Sequence, residues 1–82
     1  MLTIYTTGPD CYKCKLTKDA FDKAGVDYTE VHLAEVDESV TAKFIATGHA
    51  HAPVVVDERT NTMWSDFRRD MIKAAIEARR SE

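Results

Sequence analysis

The chain has 82 residues, 44% of them hydrophobic and 30% charged, with a net charge of -3 and a pI near 5.5. That length suits one small domain spanning 1-82, near the lower limit of what a core stabilises without metal or disulfides, and leaves no room for a second. The acidic balance argues against a general nucleic-acid or membrane-surface binder, no segment is long and apolar enough to cross a bilayer, and Met1-Leu2-Thr3-Ile4-Tyr5 lacks a basic leader, so a cytoplasmic monomer is expected.

Leu2 to Thr6 is a β-prone run, broken by the turn residues Thr7-Gly8-Pro9-Asp10. A helix is predicted from about Tyr12 to Ala24, with Leu16, Ala20, Phe21 and Ala24 at helical spacing and Gly25 as its stop. Tyr28 to Leu33 alternates as a second strand. Asp37 to Thr47 reads as a second helix with Val40, Phe44 and Ile45 inward, ended by Gly48. Pro53-Val54-Val55-Val56 is a third strand, Asp57-Glu58-Arg59-Thr60-Asn61 a hairpin turn, and Thr62 to Trp64 a short fourth strand. The last helix is predicted to begin near Ser65 or Asp66 and to carry Phe67, Met71, Ile72, Ala75 and Ile76 on one stripe. The order β-α-β-α-β-β-α implies a right-handed parallel crossover followed by an antiparallel hairpin. This is the α/β thioredoxin/glutaredoxin arrangement, a four-stranded mixed sheet flanked by three helices.

The only cysteines, Cys11 and Cys14, enclose Tyr12-Lys13 where the first strand passes into the first helix. Two intervening residues let both sulfurs meet across one helical turn, so the pair can open and close without moving the fold. So short a loop restrains little of the unfolded chain, which makes redox chemistry a better use of it than a structural bridge. Unpaired N–H groups and the helix dipole favour a thiolate there, lowering a cysteine pKa from about 8.5 to roughly 7 or below. Cys11, nearer the helix start, is expected to be the nucleophile, and Cys14, one turn on and more buried, the resolving thiol. Lys13 and Lys15 add positive potential, and Asp10 opposes them.

Cys11-Tyr12-Lys13-Cys14, Ala52-Pro53-Val54-Val55-Val56 and Trp64-Ser65-Asp66-Phe67-Arg68-Arg69-Asp70, in this order, resemble the NrdH-redoxins across the whole chain. These are glutaredoxin-sized proteins of the thioredoxin fold that behave like thioredoxins. The resemblance implies a dithiol-disulfide electron donor to class Ib ribonucleotide reductase, reduced by thioredoxin reductase at the expense of NADPH, with no cofactor beyond the cysteine pair. It also implies that Pro53 is cis and packs beside the cysteines. Ala52, Pro53, Trp64, Ser65 and Arg68 then support the site, and Tyr12 and Lys13 offer it to partners. The usual last motif is Trp-Ser-Gly-Phe-Arg-Pro-Asp; here Asp66 replaces the glycine and Arg69 the proline, and Gly8 stands where these proteins often carry lysine. These departures bear on partner choice more than on fold.

Blander readings stand beside these. Phe67 and Met71 are taken as core, and Lys18 and Lys23 as a solvated face, whereas Trp64 is expected to brace the loop beside the cysteines with Arg68. Pro53 as a mere edge-strand opener is the weaker alternative. His49-Ala50-His51 precedes Pro53, so a zinc site of both cysteines and both histidines competes, though its spacing departs from common zinc modules and these residues, like His32, also suit a loop surface. No metal is the preferred reading. The runner-up function is a glutathione-dependent glutaredoxin, which needs basic groups for carboxylates where Gly8, Asp10 and Asp66 supply none. A redox-inert module would leave the cysteines unexplained.

Overall fold

The computed structural model describes residues 2–7, 11–49 and 51–80; Gly8, Asp10 and Ala50 lie outside the described residues. In chain order it contains β1 (Leu2–Thr6), α1 (Tyr12–Lys23), β2 (Thr29–His32), a 3-10 turn (Leu33–Glu35), α2 (Glu38–Ala46), β3 (Val54–Asp57), β4 (Thr62–Ser65) and α3 (Arg69–Arg80). The strands line up as β2-β1-β3-β4, with β1 and β2 parallel and the other pairs antiparallel. This is the expected four-stranded mixed sheet with three helices.

Strand alternation assigns the two faces. Leu2 and Ile4 of β1, Val55 of β3 and Trp64 of β4 bury against Phe21 of α1 and Ile72 and Ala75 of α3. Tyr5, on the opposite side of β1, meets Phe44 of α2 edge-on with ring centroids 5.0 Å apart. Each fully buried large side chain, such as Phe21 or Ile4, contributes about 1.5–3 kcal/mol by leaving water.

Both Gly-terminated helices end in the same hydrogen-bonded motif. After α1, Val26 N–H bonds the Phe21 carbonyl (3.0 Å) and Gly25 N–H the Asp22 carbonyl (3.1 Å). After α2, His49 N–H bonds the Phe44 carbonyl (2.7 Å) and Gly48 N–H the Ile45 carbonyl (3.1 Å). Both turns need a left-handed residue, and Gly25 (φ 71°) and Gly48 (φ 91°) supply it. The second turn aims the chain from α2 toward the Ala52-Pro53 segment.

Two expectations are corrected. Ile45 is 58% exposed rather than inward, because α2 turns only Phe44 fully into the core. The last helix starts at Arg69 rather than at Ser65 or Asp66: Asp66 has φ 70°, outside the helical region, so Ser65 completes β4 and Phe67 packs on the core from the intervening loop.

Candidate active site

Cys11 is the N-cap of α1, with extended backbone (φ -80°, ψ 99°), and its sulfur takes the place a serine or aspartate oxygen commonly fills. The Cys14 N–H donates to Cys11 Sγ at 3.2 Å, and the first turn of α1 holds no acid. An opened Cys11 thiolate at this position keeps that N–H and faces the positive end of the helix. The two sulfurs form a disulfide, with the Cα atoms 5.2 Å apart. Cys14 is 2% exposed, whereas Cys11 is half-buried, so an incoming group reaches Cys11 first.

The neighbouring segments converge through hydrogen bonds. The Ala52–Pro53 peptide is cis, the isomer the resemblance implies. Pro53 is buried, and its carbonyl accepts the Asp66 N–H at 2.9 Å, tying the start of β3 to the loop after β4. The Asp66 carboxylate accepts the Phe67 N–H (2.8 Å) and pairs with Lys13 Nζ (2.7 Å), so Lys13 of the redox turn is also held to this loop. Lys13 first, then the Phe67 N–H, hold the Asp66 carboxyl below its ordinary pKa. Tyr12, 72% exposed, stands out on the surface between the cysteines.

Two grooves lie along these segments, one lined by both cysteines and the other by Ala52. One, of about 360 Å³, runs from Cys11 and Cys14 along Lys15 and Lys18 to Asp19, Asp22, Tyr28 and Glu30. Its two lysines face three carboxylates, so it does not attract anions. Within it Lys18 pairs with Glu30 (3.2 Å), and the buried Thr6 hydroxyl donates to the same carboxylate (3.0 Å). Burial alone raises the Glu30 pKa, but Lys18 and Thr6 outweigh it and leave the carboxyl below its ordinary value. Desolvation, then the bond with Asp22, pushes the Tyr28 phenol up to about 12, so it stays protonated at neutral pH. The other groove, of about 240 Å³, is mainly apolar and joins Thr7, Leu33, Phe44 and Ile45 to Ala52 and Val54.

The remaining predicted residues are placed as follows. The Trp64 indole lies in the core between sheet and helices, 3% exposed, because β4 alternation points it inward, and Phe67 of the loop after β4 packs against the same cluster. Arg68 forks onto Asp70 at the start of α3 (3.0 and 3.2 Å). Lys18, read as a solvated face, is the partially buried partner of Glu30. Ser65 Oγ meets His49 Nδ1 at 3.1 Å, and His51 is exposed. Among the described residues, no group of three or more His, Cys, Asp or Glu is placed to hold a metal ion. The Thr6–Glu30–Lys18 cluster was missed from sequence; its signal was the β2 position of Glu30, opposite Ile4 in the parallel ladder.

A redox disulfide at the start of a helix, on a four-stranded mixed sheet, defines a thiol-disulfide oxidoreductase of the thioredoxin fold. The glutaredoxin family model matches residues 2–60. Among solved structures, the glutaredoxin-like protein NrdH-redoxin from Escherichia coli, described as having a thioredoxin-like activity profile, is 36% identical with a TM-score of 0.77, over 89% of this chain and 91% of that one. A glutaredoxin from Archaeoglobus fulgidus, 21% identical with a TM-score of 0.72 over 92% of this chain and 84% of its own, shares the fold. No curated protein sequence gives a significant match. The chain belongs to the glutaredoxin family and, within it, to the NrdH-redoxins. No helix among the described residues is long and apolar enough to cross a membrane.

Proposed function

We propose that this protein is a cytoplasmic, monomeric electron carrier, reduced by thioredoxin reductase and in turn reducing class Ib ribonucleotide reductase, with Cys11 and Cys14 as its only redox group. The observation that carries the chemistry is the Cys14 N–H donating to Cys11 Sγ while Cys14 itself is buried. That asymmetry gives the sulfurs different roles. The Cys11 thiolate attacks a substrate disulfide, forming a mixed disulfide and expelling one substrate thiolate. The Cys14 thiolate then attacks Cys11 Sγ, closing the protein disulfide and releasing the second substrate thiolate. Two electrons pass to the substrate, and the reductase restores the dithiol.

The surroundings favour a protein reductant over a tripeptide. The polar groove carries more acids than bases, and the apolar groove beside Ala52, with exposed Tyr12 and Ile45, suits side chains of a docked protein. The glutaredoxin model match keeps glutathione-dependent turnover as the second reading. Reconstitution with NADPH, thioredoxin reductase and class Ib ribonucleotide reductase tests the proposal: deoxyribonucleotide formation should require this protein and both cysteines. Full product formation by Cys11→Ser would reject the assignment.

A further inference from the structure

Asp66 is an unexpected side chain at its position. Its backbone lies at φ 70°, the left-handed region that favours glycine, and the resembling motif carries glycine there. The backbone bond that staples this loop, Asp66 N–H to the Pro53 carbonyl at 2.9 Å, needs no side chain. What the side chain adds is a carboxylate 2.7 Å from Lys13 Nζ, the only cation between the two cysteines.

We propose that Asp66 is a specificity-determining residue, an internal carboxylate that occupies the Lys13 ammonium beside the disulfide and thereby disfavours anionic thiols as reductants. This rests on the redox function proposed above. In the groove that adjoins the disulfide, Lys18 is engaged by Glu30, while Lys15 stands on the same groove as a further ammonium. An anionic thiol approaching Cys11 therefore finds the Lys13 ammonium already paired, and a carboxylate beside it. A thiol without net charge meets no such barrier.

The step affected is opening of the protein disulfide. A thiolate attacks Cys11 Sγ, the Cys11–Cys14 bond breaks, and Cys14 leaves as a thiolate that takes up a proton. A second thiolate attacks the mixed disulfide at the sulfur of the first, releasing the small-molecule disulfide and the Cys11 thiolate. Two small thiols thus supply the two electrons. Glutathione attacks as a species of net charge about -2, mercaptoethanol about -1 and cysteamine about zero.

The test measures the second-order rate of disulfide opening by these three thiols at low ionic strength. A unit charge at a nearby exposed site changes such a rate by about two- to threefold. Asp66→Asn and Asp66→Gly, both suited to a left-handed backbone, should therefore raise the glutathione-to-cysteamine rate ratio about fivefold, with mercaptoethanol in between. Lys13→Ala should lower the same ratio, the double variant should return it toward the starting value, and all these shifts should shrink in 1 M salt, where screening acts within about 3 Å. A pair that merely fixes the loop changes all three thiols alike. Ratios unmoved by Asp66→Asn, or moved in the same direction by Lys13→Ala, would overturn the proposal while leaving the redox function intact. Failure of the unaltered protein's disulfide to open with all three thiols, and also with thioredoxin reductase and NADPH, would instead overturn the redox function and this inference with it.

Discussion

Arg79→Met tests the packing that holds α3 onto the β3–β4 hairpin, away from the redox turn. Asp57, at the end of β3, is 0% exposed, and Arg79 grips both its oxygens at 2.9 Å while also donating to the Ala75 carbonyl at 3.0 Å. Methionine keeps much of the aliphatic stem but leaves the carboxylate with the Arg59 N–H at 3.1 Å and the Thr60 hydroxyl. Removing one partner of a buried pair costs about 3–5 kcal/mol; Arg79 is 17% exposed, so water partly replaces it and about 3 kcal/mol is expected. For 82 residues at about 2.1 cal/mol/K each, the unfolding entropy is about 0.17 kcal/mol/K, giving a fall in Tm of about 15–18 °C at pH 7. Burial pushes the Asp57 carboxyl up, but Arg79, Thr60 and the Arg59 N–H together hold it below its ordinary pKa. Its native contribution is therefore present above the unfolded pKa of about 3.9 and is lost as pH falls through the lower folded value. In the variant, burial without Arg79 raises the folded pKa, and protonation removes the uncompensated charge as pH falls. Thermal melts followed by circular dichroism should show the gap narrowing from pH 7 toward pH 4, and Asp57→Asn in the Arg79→Met background should recover part of it. A fall in Tm below about 4 °C at pH 7, or a gap independent of pH, would show that Arg79 does not compensate a buried Asp57 charge.

Alkylation of the reduced protein near neutral pH should label Cys11 well before Cys14, and Cys14→Ser should accumulate a mixed disulfide with substrate; mass spectrometry showing Cys14 labelled first would reverse the roles. Phe44→Ala should destabilise by about 3 kcal/mol in urea melts, whereas Ile45→Ala should fall within about 0.5 kcal/mol of the parent; equal costs would contradict the orientation of α2.

The element order and the cysteine turn were readable because they rest on local signals: period-two runs, helical spacing, and glycines where both helices stop. The start of α3 was not, because Ser65-Asp66-Phe67 has no residue that forbids helix, and only the hydrogen bond from Asp66 to Pro53 reveals the left-handed turn. The same long-range placement hid the site's electrostatics. Lys13 and Asp66 are far apart in sequence, as are Thr6 and Glu30, and nothing in either segment alone announces the partner. The burial of Trp64 was legible by a different route. The motif drew attention to the loop, while simple strand alternation already placed the indole in the core.

A reductase protein, and not glutathione, is proposed to regenerate the Cys11–Cys14 dithiol. The direct measurement is the initial rate of NADPH oxidation with the oxidised protein and a small disulfide substrate, run once with thioredoxin reductase and once with glutathione plus its reductase. Rapid oxidation in the first system and a rate near background in the second is the predicted result; efficient turnover with glutathione and none with thioredoxin reductase would contradict it.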